Sequence, residues 1–167
     1  MQYSTKLTIS RLLVTAAALY AGTTWAAVTT PKEGKYDDII CYAGPVHSTS
    51  PVKGQLGMSL DLLGTTGVKE GDIFSNTSGH CVGAFTLIGE DGHAYGSCSF
   101  TDSDGDAFFG TYALNNMKEK GTWKVTGGTG KYDGMQQSGD WKPITQIPSP
   151  AGMLQECDRI TGAWKMR

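Results

Sequence analysis

The sequence predicts an all-β protein: an eight-stranded antiparallel up-and-down β-barrel with little helix. Glycine makes up 23 of the 167 residues, about twice its usual share. Turn-forming residues recur between short β-rich runs, and no stretch has the sustained apolar spacing of an amphipathic helix. Strands are predicted at 37–44, 54–63, 79–89, 93–101, 106–114, 120–127, 136–142 and 155–165.

The first 26 residues have the pattern of a secretory signal peptide. Two basic residues precede an apolar run at 12–21, and residues 24–26 offer small side chains at the positions that a signal peptidase reads. The apolar run is shorter than the ~20 residues that a membrane-spanning helix needs. We therefore expect a signal peptide at 1–26, a single β-barrel domain at 27–167, export to the periplasm or the extracellular space, and no membrane association after cleavage.

The charge balance argues against binding to nucleic acid. The chain has 14 Lys and Arg against 16 Asp and Glu, a formal net charge of -2, which gives no excess of positive charge for a phosphate backbone. The three histidines, His47, His80 and His93, share no metal-ligand spacing. The sequence predicts no cofactor, and it does not indicate an oligomeric state.

A short acidic segment resembles the start of a calcium-binding loop. Asp102, Asp104 and Asp106 have the spacing of the first three ligands, but Ala107 and Ala113 stand where such a loop needs Gly and Glu. Aspartate side chains also stabilise turns by accepting hydrogen bonds from their own backbone. An acidic β-turn is therefore the preferred interpretation, and calcium binding is the alternative.

Alternation along the central strands predicts which side chains face inward. With Gly89 opposite Gly92 and Thr101 opposite Asp106, one face of the sheet is uniformly apolar with interleaved glycines. Small and large side chains alternate in this way where a curved sheet closes on itself. The predicted inward residues are Cys81, Gly83, Phe85, Leu87, Ala94, Gly96, Cys98, Phe100, Ala107, Phe109, Thr111 and Ala113.

Four cysteines follow the predicted cleavage site, and an exported protein normally pairs them. Cys81 and Cys98 share the inward face of one hairpin, one pair away from direct opposition. Cys41 and Cys157 lie in the first and last strands, which are neighbours only if the barrel closes. Three connectivities are possible, and this strand order predicts Cys41–Cys157 with Cys81–Cys98.

The segment Trp123–Gly134 contains a G-G-T-G-K-[FY] strand-turn-strand signature. It resembles that of the allene oxide cyclase/dirigent group of calycin-like barrels, and the chain is also similar to a group of small exported bacterial proteins. The resemblance implies an eight-stranded barrel with an apolar cavity. Members of the group include cyclases that fold a reactive oxylipin and dirigent proteins that orient phenoxy radicals or quinone methides.

Few charged residues are candidates for a site inside the barrel. If Cys41 faces Cys157 and both point inward, Arg159 also points inward and Asp37 lies diagonally across from it. An Asp at the start of the first strand also resembles dirigent proteins. The candidate ligand-binding residues are Asp37, Arg159, Gln137, Phe85, Phe100 and Phe109. A structural ion pair at the end of the barrel is the alternative for Asp37 and Arg159.

Three functions are compatible with this barrel. The lumen could bind a small apolar ligand, it could shape a reactive substrate as a cofactor-free isomerase or cyclase, or it could be packed solid in a surface-interaction module. Eight strands enclose a lumen that side chains can just fill or that holds one small ligand. The size of the cavity therefore separates the third function from the other two.

Overall fold

The computed structural model describes residues 31–117 and 119–167, and the predicted signal peptide at 1–26 lies outside them. These residues form one closed antiparallel barrel in which each strand pairs with the next and the last pairs with the first. The strands are β1 (Glu33–Thr49), β2 (Gln55–Thr66), β3 (Thr77–Ile88), β4 (Asp91–Asp102), β5 (Ala107–Leu114), β6 (Gly121–Gly128), β7 (Met135–Gln146) and β8 (Met153–Met166). The predicted all-β fold with eight strands is confirmed.

Helical structure is confined, within the described residues, to one 3-10 turn at Gly130–Tyr132 between β6 and β7. In the same part of the chain, no helix has the length and apolar character needed to cross a membrane. Both disulfides have the predicted partners, Cys41–Cys157 and Cys81–Cys98.

The disulfide between β1 and β8 lies on the outer wall of the barrel, which corrects the expectation that it faces inward. Cys41 is directly opposite Cys157, as predicted. Tyr36 and Ile40 are buried, however, and successive side chains of a strand face opposite sides, so Cys41 is exposed. The bond therefore joins the first and last strands from outside and leaves the lumen between them free.

The hairpin of β3 and β4 has a different register from the predicted one. Ile88, rather than Gly89, begins the turn opposite Asp91, and Cys81 is directly opposite Cys98. The pairing has slipped by an even number of residues, which leaves every side chain on its predicted face. Cys81 and Cys98 are buried inside the barrel.

Strand β5 is turned over relative to the prediction. Thr101 pairs with Ala107 instead of Asp106, so the connecting loop is one residue longer than expected. A slip of one residue exchanges the two faces of a strand. Phe108 is 1% exposed and points into the barrel, whereas Phe109 is 44% exposed and lies outside. The outward face of β5 carries Ala107, Phe109, Thr111 and Ala113, and the inward face carries Phe108, Gly110, Tyr112 and Leu114.

The extra loop residue is explained by hydrogen bonds of Asp102. Its Oδ1 accepts the backbone N–H groups of Asp104 at 2.8 Å and Asp106 at 3.0 Å. The ammonium of Lys131 lies 2.7 Å from the other carboxylate oxygen. The acidic segment is thus a turn held by its own carboxylate. Among the described residues, no group of three or more His, Cys, Asp or Glu side chains could hold a metal ion.

Aromatic side chains fill the end of the barrel at which β2 ends and β3 begins. Phe74, from the loop between these strands, packs edge-to-face on Phe108 with ring centroids 5.1 Å apart. Phe74 also stacks on Tyr132, whose hydroxyl donates a hydrogen bond to the carbonyl of Ile73 at 2.9 Å. Each aromatic pair of this kind contributes about 1 kcal/mol beyond its buried area. Among the described residues, this half of the lumen is packed with aromatic side chains.

Candidate functional site

A cavity of about 570 Å³ occupies the other half of the lumen. Most of its lining is apolar or aromatic and comes from inward-facing positions of the strands, since alternate residues of each strand face the interior. Its volume lies within the usual range for sites that hold a small molecule. The apolar and aromatic lining includes Ile40, Tyr42, Leu56, Met58, Leu60, Leu62, Phe85, Ala94, Phe100, Tyr112, Leu114, Met117, Trp123, Trp141, Leu154 and Ile160.

Two tyrosines of the lining lie against glycines of neighbouring strands. A Cβ added to Gly64 would lie 2.6 Å from the ring of Tyr42, and one added to Gly96 would lie 2.5 Å from the ring of Tyr112. Such distances are too short for any side chain, so glycine is required where these rings lie flat on the wall. The interleaved glycines of the sequence therefore make room for large aromatic groups without filling the lumen.

Two carboxylates of β8 face the apolar cavity. Glu156 and Asp158 are two residues apart, so they share one face of the strand, and both line the cavity. Asp158 is 6% exposed, and its Oδ1 has no hydrogen-bond partner among the described residues. A buried carboxylate without partners is costly, and in native proteins such a group calls for a functional explanation.

The neighbouring strand is irregular beside Asp158. Pro143 of β7 is opposite Asp158, and the register of the pair shifts between Pro143 and Thr145. Proline has no backbone N–H to donate, and bulges of this kind are frequent beside functional sites. Pro143 and Thr145 both line the cavity, so the register shift between them lies in the cavity wall.

Burial changes the proton affinities of these groups. Burial is the larger cause and the negative charge of Glu156 the smaller, and together they raise the pKa of Asp158 from its ordinary 3.8 to about 7. Burial also raises the pKa of Glu156. Burial, together with the two carboxylates, raises the pKa of Tyr112 to about 12 and that of Tyr42 above its ordinary value. Near neutral pH, Asp158 can therefore exist in both protonation states and can exchange a proton with a bound molecule.

The predicted pair of Asp37 and Arg159 forms, but on the outer wall. Arg159 donates to Asp37 through Nε at 2.7 Å and through Nη2 at 2.5 Å, and both side chains are more than half exposed. The expected inward orientation depended on an inward Cys157, and the disulfide lies outside. The expected mouth of the cavity is therefore not formed by this pair.

The other predicted residues divide between the cavity and the wall. Phe85 and Phe100 line the cavity, whereas Phe109 lies outside because β5 is turned over. Gln137 is buried, as expected, but its amide oxygen accepts the N–H of Val125 at 2.7 Å and its NH₂ group donates to the hydroxyl of Tyr36. Gln137 thus belongs to the packed interior of the barrel next to Tyr36 and is not part of the cavity lining.

Sequence reasoning missed Glu156 and Asp158, although the sequence contains a signal for them. Ile160 and Trp164 are apolar and in phase with Asp158, whereas Lys165 is in phase with Arg159. Alternation along β8 alone would have placed Asp158 on the inward face. The inward face of β8 was instead inferred from Cys157, although a disulfide between adjacent strands can lie on either face of the sheet.

The fold and the cavity define a closed β-barrel with an acidic group in an apolar lumen. No protein-family model and no curated protein sequence matches the chain. Solved structures that share its fold include two dirigent proteins. The pterocarpan synthase dirigent protein GePTS1 has a TM-score of 0.51 at 14% identity, over 90% of this chain and 100% of that chain. The pterocarpan synthase dirigent protein PsPTS1 has a TM-score of 0.50 at 13% identity, over 81% of this chain and 97% of that chain. The likeness establishes a dirigent-type barrel fold.

Proposed function

We propose that this chain is an exported barrel whose lumen binds one small, largely apolar molecule. The observation that carries the proposal is the cavity of about 570 Å³, lined mainly by apolar and aromatic groups, in a barrel whose other end is packed. Side chains could have filled the whole lumen of an eight-stranded barrel, and here they fill only part of it. The two disulfides and the signal-peptide pattern of residues 1–26 support export to an oxidising compartment.

A neutral fluorescent probe tests this proposal. N-phenyl-1-naphthylamine gains fluorescence in apolar surroundings, and we expect it to bind saturably. Met58→Trp adds bulk to the lining of β2 and should weaken binding by about tenfold or more. Leu63→Trp is the matched control, because Leu63 lies on the same strand but is exposed on the outer wall. The proposal fails if the probe does not bind, or if both variants weaken its binding equally.

A second function, proton-transfer catalysis, is favoured by Asp158. A carboxylic acid with a pKa near 7 in an apolar cavity is suited to general acid–base work at neutral pH. The two solved structures named above are of pterocarpan synthase dirigent proteins, so the fold is compatible with catalysis. We propose this alternative as an isomerase or cyclase in which Asp158 exchanges the proton and the apolar lining positions the substrate.

Native mass spectrometry of protein purified from its own host distinguishes binding from catalysis. Binding predicts a co-purifying small molecule that remains unchanged on incubation with fresh protein. Catalysis predicts conversion of that molecule, and Asp158→Asn should retain it without converting it. Conversion at the wild-type rate by Asp158→Asn would exclude the catalytic alternative.

A further inference from the structure

We propose that the cavity selects a molecule that carries one positive charge on an apolar body, such as a protonated aromatic or aliphatic amine. This inference rests on the proposed lumenal binding and specifies the ligand class. It depends on three features of the cavity: the charge of its lining, the unpartnered oxygen of Asp158 and the aromatic groups around it.

The charge of the lining is negative. Glu156 and Asp158 are its ionisable acids, and no Lys, Arg or His side chain belongs to the lining among the described residues. The nearest cation along the strand, Arg159, faces the outside and binds Asp37 there. A cationic ligand would thus meet no positive charge in the cavity, whereas an anionic ligand would meet two carboxylates.

Asp158 lacks the partner that a buried carboxylate needs. Its Oδ1 is fully buried and has no hydrogen-bond partner in the described part of the chain. An ionised carboxylate is stable in such surroundings only when a counter-charge or hydrogen-bond donors satisfy it. An ammonium group supplies both the charge and the donors. A neutral alcohol supplies one donor and no charge, so it should satisfy Asp158 less well.

Aromatic side chains add to the preference for a cation. Tyr42, Tyr112, Trp123 and Trp141 line the same cavity as the two acids. The faces of tyrosine and tryptophan rings attract cations, and the attraction is strongest where water is excluded. A site that combines carboxylates with several such rings favours an ammonium group over an uncharged group of the same size.

Binding of a cation should also release protons. Glu156 on β8 raises the pKa of Asp158, and Asp158 in turn raises the pKa of Tyr42 on β1 and of Tyr112 on β5, while β7 contributes no titratable residue to the lining. A positive charge placed among them favours the ionised form of Asp158. An amine that binds at pH 7 should therefore lower the fraction of molecules in which Asp158 is protonated. The buffer takes up the released protons, and this uptake is measurable.

Three probes of nearly equal shape test the inference: 3-phenylpropylamine, 3-phenylpropanol and 3-phenylpropanoate. We expect isothermal titration calorimetry at pH 7 to show the amine binding about tenfold or more tightly than the alcohol, with the carboxylate weakest. Titrations in two buffers of different ionisation enthalpy should show proton release with the amine only. Asp158→Asn should reduce the advantage of the amine over the alcohol severalfold, while Glu156 and the aromatic rings retain part of it.

Asp37→Asn is the matched control, because Asp37 is an acid on the outer wall. It should leave the ranking of the three probes unchanged. Equal affinity for amine and alcohol, or an amine preference that is undiminished in Asp158→Asn, would overturn the inference. If N-phenyl-1-naphthylamine still binds in that case, lumenal binding stands and only the ligand class is wrong. If that probe does not bind either, the proposed function itself fails.

Discussion

Asp158 and Arg159 are consecutive residues of β8 that face opposite sides of the barrel wall. Arg159 forms a two-hydrogen-bond ion pair with Asp37 outside, while the carboxylate of Asp158 is buried inside with an unpartnered oxygen. Side chains alternate across a strand, so the backbone separates the guanidinium from the buried acid. The positive charge closest in sequence is therefore not the partner of Asp158, and the lumen keeps its acidic character.

Replacing Asp158 by Asn should stabilise the protein at high pH. The unfolded chain loses the proton of Asp158 near pH 3.8, and the folded protein loses it near pH 7. Between these values the folded state binds more protons, so the free energy of unfolding falls as the pH rises through this window and levels off above it. We expect Asp158→Asn to gain about 4 kcal/mol at pH 8 and nothing below pH 4, measured by urea unfolding.

Asp37→Asn is the control for this experiment. Arg159 lowers the pKa of Asp37, so any stability from this pair is present at neutral pH and is lost as the pH falls. The free energy of unfolding of Asp37→Asn should therefore match that of wild type at low pH and lie below it at neutral pH. A stability difference for Asp158→Asn that does not vary with pH would contradict the buried acid.

Removing Arg159 should leave ligand binding intact. Arg159 and Asp37 are exposed on the outer wall, and ion pairs at exposed sites contribute little to stability. We expect Arg159→Ala to change the thermal unfolding midpoint only slightly and the affinity for N-phenyl-1-naphthylamine not at all. Loss of probe binding with an unchanged midpoint would show that the pair acts in the site after all.

The two disulfides should differ in their reactivity toward reductant. Cys41 is exposed on the outer wall, whereas Cys81 and Cys98 are 3% and 8% exposed inside the barrel. Thiol–disulfide exchange requires access to sulfur, so a small phosphine should reduce Cys41–Cys157 first. Alkylation followed by peptide mass spectrometry would follow the order. Earlier labelling of Cys81 and Cys98 would contradict the assignment of the two faces.

The contact between Gly64 and Tyr42 should be sensitive to a single methyl group. A Cβ at Gly64 would overlap the ring of Tyr42, so Gly64→Ala should cost about 1–3 kcal/mol of unfolding free energy. The cost should shrink when Tyr42→Ala is present, as measured by a double-mutant cycle. Gly127→Ala in β6 is the control, because a Cβ there would meet nothing within 4 Å. An equal cost at Gly64 and Gly127 would contradict the close packing of Tyr42.

The sequence was sufficient to predict the strands, their order and the disulfide partners. Period-two alternation and turn residues define strands locally, and the pairing of Cys41 with Cys157 follows once the barrel closes. The orientation of β5 could not be predicted in this way. It depends on one extra loop residue, which the hydrogen bonds from Asp104 and Asp106 to Asp102 stabilise.

The candidate site was predicted less well, because the orientation of β8 was inferred from its cysteine. Phe85 and Phe100 lie on the face that alternation predicts as inward, but the inward orientation given to Cys157 and Arg159 left the acids of the lining out of the candidate site. The alternation of Ile160 and Trp164 places Asp158 inside the barrel, in conflict with the usual exposure of charged residues. Such conflicts between local pattern and structure are expected at functional sites.

The central claim is that Asp158 is an acid buried in an open, apolar lumen. Carbon-13 NMR titration of the aspartate carboxyl groups, with the signal of Asp158 assigned by its loss in Asp158→Asn, tests this claim most directly. We predict a midpoint near pH 7 for Asp158, shifted downward when 3-phenylpropylamine is bound. A midpoint near the ordinary value of 3.8 would show a solvated carboxylate and would contradict the account.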